Sequence, residues 1–474
     1  MIYLILIFSV LFFVFAWRRL DWAVMFLIAG LPTYLIRFNI FGLPSTLLEI
    51  MIWVVFLVWL IKNFSRVKNN FLENFKKENK KIKIRYPFDW EIILLLFIAL
   101  AAVGIAGFSS SSLGIWKAYF FEPAIFFIVV LNVIKGEAGR NKVLWSLATS
   151  ALIVSALAIY QKITGAFIDN PIWAAENTRR VVSFFGYPNA VGLYLGPLIL
   201  ILVGWLCDIA KNFQFSITNF QTIFNSKIFK MFFICLIIIT SILSIYFAKS
   251  KGALLGVTVG LIIFGLIINK KIRWATIIVL ILIGVGIAAY GPARNLAIRN
   301  ITLTNLSGQI RKAGWADTFK MLKDGRLLTG AGLANFQAAI TPYHTEGIFV
   351  KDYNDPDAQK KLVYNAAYRT AHWQPLEIYL YPHNIFLNFW SELGLAGLLL
   401  FIWIILKYFY LGIKNYKSQV KNYKFINIGL ICAMVIIVVH GLVDVPYFKN
   451  DLAVMFWLFA AMISLINLEI KLKI

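Results

Sequence analysis

PNAVGLYLGPLILILVGWLCD, residues 188–208, carries no charge until its last residue. A run of that length and composition matches the hydrocarbon core of a bilayer, which a helix crosses with roughly 20 apolar residues. Working outward in both directions, similar runs recur. Thirteen candidate spans read at 2–17, 22–41, 45–61, 90–108, 117–134, 143–160, 188–208, 231–248, 252–268, 275–291, 384–406, 426–444 and 452–468. The whole chain agrees. Of its 474 residues 60% are hydrophobic and 14% charged, against about 25% charged in an average soluble domain. That balance excludes a soluble globular, disordered or fibrous chain. The expected fold is an all-α polytopic membrane protein with about 12–13 transmembrane helices and one large external loop region. It divides into N-terminal helices (1–61), a basic loop (62–89), further helices (90–291), the large loop region (292–383) and C-terminal helices (384–474). The first run has no basic stretch before it and no small-residue cleavage site after it, so it reads as a retained span. Cys207, Cys235 and Cys432 lie in or beside apolar runs and read as small hydrophobes.

A net charge of +24 raises the question of nucleic acid. The placement of the charge answers it. Arg18 and Arg19 follow the first span, and nine basic residues lie within 62–89. Lys135, Arg140 and Lys142 follow the fifth span, Lys211, Lys227 and Lys230 the seventh, and Lys270, Lys271 and Arg273 the ninth. Five lysines from Lys407 to Lys424 follow the eleventh, and Lys471 and Lys473 end the chain. Each cluster follows an odd-numbered span. Short loops rich in Lys and Arg stay cytoplasmic, which places the N-terminus outside and the C-terminus inside. The basicity is a topology signal, and the expected partner is the lipid bilayer rather than nucleic acid. Within 62–89, Val67, Phe71 and Phe75 recur every four residues, as on a helix lying on an anionic membrane surface; a solvated tether is the alternative. Ser307 reads as the cap of a helix over about 309–323, and Gly330 and Gly332 as a turn. A loop region as long as 292–383 is uncommon in a compact protein unless it has a function. No internal repeat is evident.

The unusual polar residues gather on the external side of this topology. Pro382 precedes His383, and Pro favours the first helical position, so His383 is expected in the first turn of span eleven, as a general base or as a capping or interfacial His. Asn384, Asn388 and Glu392 follow at helical spacing on one face. Glu392 lies about 13 Å deeper than His383 at the helical rise. A carboxylate at that depth requires a partner, and its expected role is orienting or structural. His440 and Asp444 stand four apart and can bond along a helix, as an orienting or simply structural pair. Arg311 with Lys251 can hold a pyrophosphate at the outer leaflet, since Arg binds phosphate bidentately and Lys as a point charge. Arg179, Arg180, Arg294, Arg299 and Lys323 read as contacts to lipid headgroups. The histidines lack metal-ligand spacing, and Asp352, Asp355 and Asp357 lack the calcium-loop pattern. No metal or cofactor is expected.

Five segments in order resemble the O-antigen ligase and O-antigen polymerase superfamily of lipid-linked glycan transferases. PHNIFLNFWSELGLAGLLLF (382–401) is similar to its His-Asn signature. SKGALLG (250–256) is similar to its Ser-Arg-Gly-Ala stretch. RKAGWADTFKMLKDGRLLTGAGLANF (311–336), HGLVDVPYF (440–448) and SFFGYPNAVGLYL (183–195) fit further segments. The resemblance spans about 183–468. It implies a GT-C-like membrane enzyme in the cytoplasmic (inner) membrane with its active site facing outside. The implied reaction is a metal-independent, inverting transfer of a glycan from undecaprenyl pyrophosphate to a lipid, glycan or protein acceptor. Carried over, it makes His383 the base and Arg311 a phosphate ligand. Lys251, Arg326, Asn189 and Asn384 become substrate-binding, and Glu392, His440 and Asp444 orienting. Lys251 stands where the family usually has Arg, keeping the charge and losing the planar fork. Arg326 stands where Pro is more usual, and is expected to compensate. A polymerase of lipid-linked repeat units uses the same donor. A polysaccharide transporter or flippase and a non-catalytic envelope scaffold are the readings of other classes.

Overall fold

Inside hydrocarbon every backbone N–H and C=O needs a partner within the chain, so apolar runs of spanning length become helices. The computed structural model describes residues 2–40, 43–64, 86–211, 226–353, 355–418 and 423–473. Its first helices are α1 (Ile2–Arg18), α2 (Leu20–Ala29), α3 (Leu47–Lys62) and α4 (Asp89–Ile105). Then come α5 (Ser110–Val133), α6 (Gly136–Thr164), α7 (Pro188–Lys211), α8 (Ser226–Phe247), α9 (Lys251–Ile268) and α10 (Lys270–Ala289). The large loop region holds α11 (Gly291–Ile301), α12 (Leu306–Met321) and α13 (Phe336–Ile340), and α14 (Ile385–Lys417), α15 (Lys424–Gly441) and α16 (Asn450–Lys473) follow. Among the described residues nine helices are long and apolar enough to cross a membrane. α1, α3 and α4, of 16 or 17 residues, stand at the short end of that range.

The second candidate span, 22–41, is not one helix. α2 stops at Ala29, a 3-10 turn occupies Leu31–Leu35, and β1 (Arg37–Ile40) pairs antiparallel with β2 (Leu43–Thr46). Gly30 and Pro32 account for the break, because Pro removes a helical N–H and clashes with the turn before it. Residues 65–85, with most of the basic stretch and its Val67, Phe71 and Phe75 spacing, lie outside the described residues.

The two ends of the bundle differ in how they are joined. At one end Lys62 bonds the Trp17 carbonyl, Lys142 pairs with Asp21 at 2.7 Å, Arg140 pairs with Glu469, and Lys407 pairs with Glu91 at 2.7 Å. Basic residues that follow the third, fifth and eleventh spans thus find their partners at the same end of the bundle. At the opposite end the Val181 N–H donates to the Phe247 carbonyl, and Lys449 donates to the Tyr34 hydroxyl at 3.0 Å. Between the ends, α7 and α15 approach closely. A Cβ on Gly204 would stand 2.4 Å from the Phe425 carbonyl oxygen, so only glycine permits this spacing.

The loop region is bolted to the bundle at residues 328–334. α14 is broken at Gly394, whose φ of 72° is left-handed. In the gap the Leu395 N–H donates to the Leu328 carbonyl (3.1 Å) and the Ala331 N–H to the Ser391 carbonyl (2.6 Å). One residue pair further, the Leu333 N–H donates to Ala102 O at the C-terminal end of α4 (3.1 Å). These bonds satisfy carbonyls that a helix end leaves open. Glu392, 2% exposed, accepts the Ala334 N–H at 2.6 Å, so its carboxylate secures the loop just before α13. A Cβ on Gly394 would lie 2.1 Å from the Leu328 oxygen. Gly394→Ala is therefore expected to destabilise the protein by roughly 3 kcal/mol. The measurements are the melting temperature in detergent and the proteolytic sensitivity of 305–383; an unchanged value of both would contradict the docking.

Candidate active site

The site is built at the end of the bundle opposite the basic pairs. α15 stops at Gly441, where a Cβ would meet Ile385 at 2.7 Å, and the chain turns through 442–449 before α16. Asp444 lies in that turn. Asp444 does not share a helix face with His440 as the sequence reading has it, because the helix ends at Gly441, and the imidazole acts on the carboxylate by charge only. Its carboxylate turns elsewhere. Oδ2 accepts from Asn189 Nδ2 at 3.1 Å, and Oδ1 accepts from the Val445 N–H at 2.9 Å. Oδ1 also faces His383 Nδ1 at 3.9 Å, an ion-pair rather than a hydrogen-bond distance. Burial by itself raises the Asp444 carboxyl. The imidazoles of His383 and His440 and the Val445 N–H outweigh it and hold the group well below the usual carboxylate range.

His383 stands outside α14, not in its first turn. Asn384 is the N-cap, its Oδ1 accepting the N–H groups of Phe386 and Leu387 at 3.0 Å each. An Asn cap satisfies two open donors and outcompetes the signal from Pro382. Its Nδ2 donates to the Leu442 carbonyl at 3.1 Å, so Asn384 ties the helix start to the Asp444 turn. With both functions of the amide engaged, Asn384 is a positioning residue here. His383 has φ +49°, a left-handed conformation uncommon for a non-glycine residue. Strain of this kind clusters where a side chain must be aimed. The Tyr379 ring stands edge-on to the imidazole at 4.8 Å.

α12 supplies the cation. Its N-cap is Asn305, whose Oδ1 accepts the Gly308 N–H at 2.8 Å, rather than Ser307. Ser307 instead contacts Arg311. Arg311 Nε donates to the Val443 carbonyl at 2.9 Å, one residue before Asp444, and Nη1 donates to the Ser307 carbonyl at 3.3 Å. Burial lowers the Arg311 pKa against the pull of Asp444, and a guanidinium remains charged at any working pH. Trp315, one turn on, donates to the Pro382 carbonyl at 2.7 Å. α12 is thereby fixed to both sides of the site.

Of the residues named from the sequence, His383, Asp444, Asn189, Arg311 and Asn384 come together. His440 is buried against the start of α9: a Cβ on Gly252 would sit 2.6 Å from His440 Cδ2. Lys251, the residue before, is exposed at that helix start. Arg326 does not join them. It lies beyond the far end of α12, where its charge acts on Tyr343, itself bonded to Asp324. Glu392 belongs to the loop junction.

Two arginines read as headgroup contacts are internal instead. Arg179 donates to the carbonyls of Ala174, Lys162 and Ile163, closing the end of α6. Arg180 Nε donates to the Ala248 carbonyl at 3.1 Å, and Nη2 reaches Asn189 Oδ1 at 3.5 Å. It thus adds a second guanidinium to the Asn189–Asp444 chain. Beside His383 opens a cleft lined by Arg311, His383, Tyr379, Glu377, His344 and Asp317 among others. Glu377 and His344 carried no sequence signal, since their spacing to His383 arises only from the loop fold. Among the described residues no group of three His, Cys, Asp or Glu side chains could hold a metal ion.

Residues 236–402 match the family model described as O-Antigen ligase. The match covers about a third of the chain and includes Lys251, Arg311, Arg326, His383, Asn384 and Glu392. No curated protein matches the chain.

The depressed Asp444 carboxyl sets a pH expectation. Such a group stabilises fully above its unfolded pKa of about 4, and the contribution disappears as pH falls through the lower folded value. Asp444→Asn is expected to cost on the order of 1–3 kcal/mol at neutral pH. Its melting-temperature deficit should persist, without closing, from pH 8 down to about pH 4.5. A deficit that closes between pH 5 and 7 would assign the ionisation to another group.

Proposed function

We propose that this chain, which over residues 236–402 bears out the resemblance to the O-antigen ligase and polymerase superfamily, transfers a glycan from undecaprenyl pyrophosphate to an acceptor hydroxyl. The reaction takes place at the outer face of the cytoplasmic membrane, the side opposite the basic ends of the bundle. One observation carries the reading. An imidazole and a guanidinium line one cleft at that end of the bundle, and a buried carboxylate faces the imidazole from the turn that the guanidinium grips.

His383 is the general base. With Nδ1 facing Asp444, Nε2 is left for the acceptor hydroxyl. As that oxygen bonds the anomeric carbon, its proton passes to His383 and the bond from the anomeric carbon to the diphosphate oxygen breaks. The electron pair leaves with the diphosphate, and the configuration at carbon inverts. Asp444 stabilises the imidazolium that forms, and Asn189 and the Val445 N–H keep its carboxylate oriented. The diphosphate is already a good leaving group, so charge stabilisation outweighs acid catalysis in importance. Arg311, Arg180 and Lys251 are the cations at this end of the bundle suited to the diphosphate, with a guanidinium from Arg180 where Lys251 lacks the fork. Neither metal nor cofactor takes part.

The test is transfer by purified protein from an undecaprenyl-pyrophosphate oligosaccharide. His383→Ala is expected to lower kcat by roughly 10²–10⁴-fold while the protein still inserts, with a lowered melting temperature because Asp444 loses one of its partners. A ladder of products identifies a polymerase, and a single addition a ligase. Near-normal transfer by His383→Ala would remove the base from this account.

A further inference from the structure

The geometry points to a second carbohydrate subsite on the hairpin that continues the walls of the cleft, where Trp373 and Phe349 stack against the distal sugar rings of an oligosaccharide acceptor. It rests on the glycan-transfer reading of the cleft, and names the acceptor's class.

β3 (Gly347–Phe349) and β4 (Trp373–Pro375) pair antiparallel, with Gly347 opposite Pro375 and Phe349 opposite Trp373. The ladder does not end at the strands. The Leu376 N–H donates to the Glu346 carbonyl at 2.9 Å, which carries the pairing towards the cleft-lining residues His344 and Glu377. Trp373 lies four residues from Glu377, about 13 Å along an extended strand. The cleft and the aromatic pair are therefore two ends of one ribbon, separated by the length of a few sugar rings.

Gly347 determines how the Trp373 ring lies. A Cβ there would stand 2.3 Å from Trp373 Cζ2 and 2.7 Å from Cη2. The indole thus covers the glycine backbone and leans along the ribbon in the direction of the cleft. Phe349 supports it at 4.9 Å with the rings tilted by 58°. Both side chains remain 44% exposed. A broad aromatic ring backed on one side by main chain and open on the other suits the apolar C–H face of a sugar ring. Glu377 and His344 at the cleft end provide polar partners for hydroxyl groups, in the usual pattern of apolar contacts with a few placed polar groups. A lipid-surface anchor is the competing use of an exposed Trp, and it does not require the ladder to reach the cleft.

Hydroxyl-radical oxidation of the full chain in detergent, read at Trp373 by mass spectrometry, tests the subsite without relying on transfer. One arm adds oligosaccharides released from the envelope of the cells that make the protein. The other adds phosphatidylethanolamine–phosphatidylglycerol vesicles. The oligosaccharides are expected to slow Trp373 oxidation about threefold, and the vesicles to leave it unchanged. His383→Ala should retain the protection. Gly347→Val, which displaces the indole, should lose it without loss of the fold. No protection by the oligosaccharides, or equal protection by vesicles alone, would overturn the subsite. Protection that persists while His383→Ala still transfers glycan would uphold the subsite and reject the base.

Discussion

A carboxylate in the turn after α15 holds the site together. Asp444 is 5% exposed, and a buried charge is tolerated only when the groups around it compensate. Its compensation comes from separate parts of the chain. Asn189 reaches it from the start of α7, His383 from the end of the loop region, and the Val445 amide from the turn itself. Arg311 grips the carbonyl immediately before it. Removing any one of these leaves the others facing an undercompensated charge. The carboxylate therefore ties α7, α12, α14 and α15 together at the candidate site.

The second constraint lies at the junction of loop region and bundle. The turn through Gly330, Ala331 and Gly332, with both glycines left-handed, fits between the end of α4 and the break in α14, and Glu392 fastens it at Ala334. The same break lets the start of α14 follow its own direction, with Asn384 as its cap. Because α12 and α14 are both anchored to the loop region, Trp315 can bond the Pro382 carbonyl and Arg311 can reach the Asp444 turn. The long segment between the bundle halves thus positions the candidate constellation as well as lining the cleft.

The spans were legible because hydropathy averages over a helix length, and an error of a few residues does not hide a run of twenty. The polarity of the bundle was legible for a similar reason: clusters of Lys and Arg after alternate spans collect at one end, as Lys62, Arg140, Lys142 and Lys407 do. Single-residue geometry was not. Nothing in the composition of 384–406 marks the left-handed Gly394, and the Gly30–Pro32 break was hidden within an apolar run. Pairing His440 with Asp444 assumed a continuous helix, which Gly441 ends three residues too soon. Arg180 was misplaced because its partners, Ala248 and Asn189, are brought to it only by the packing of α7 and α8. Glu377 and His344 come to line the same cleft as His383 through the loop fold alone, and no local spacing reports that.

The central claim is a single displacement in which His383 removes the acceptor proton and does not itself attack the sugar. The most direct measurement is the anomeric configuration of the newly formed linkage, read by NMR against that of the lipid-linked donor. Inversion is the result required if the acceptor oxygen attacks the anomeric carbon directly. Retention would mean a covalent glycosyl intermediate on the protein, and would contradict the role given to His383.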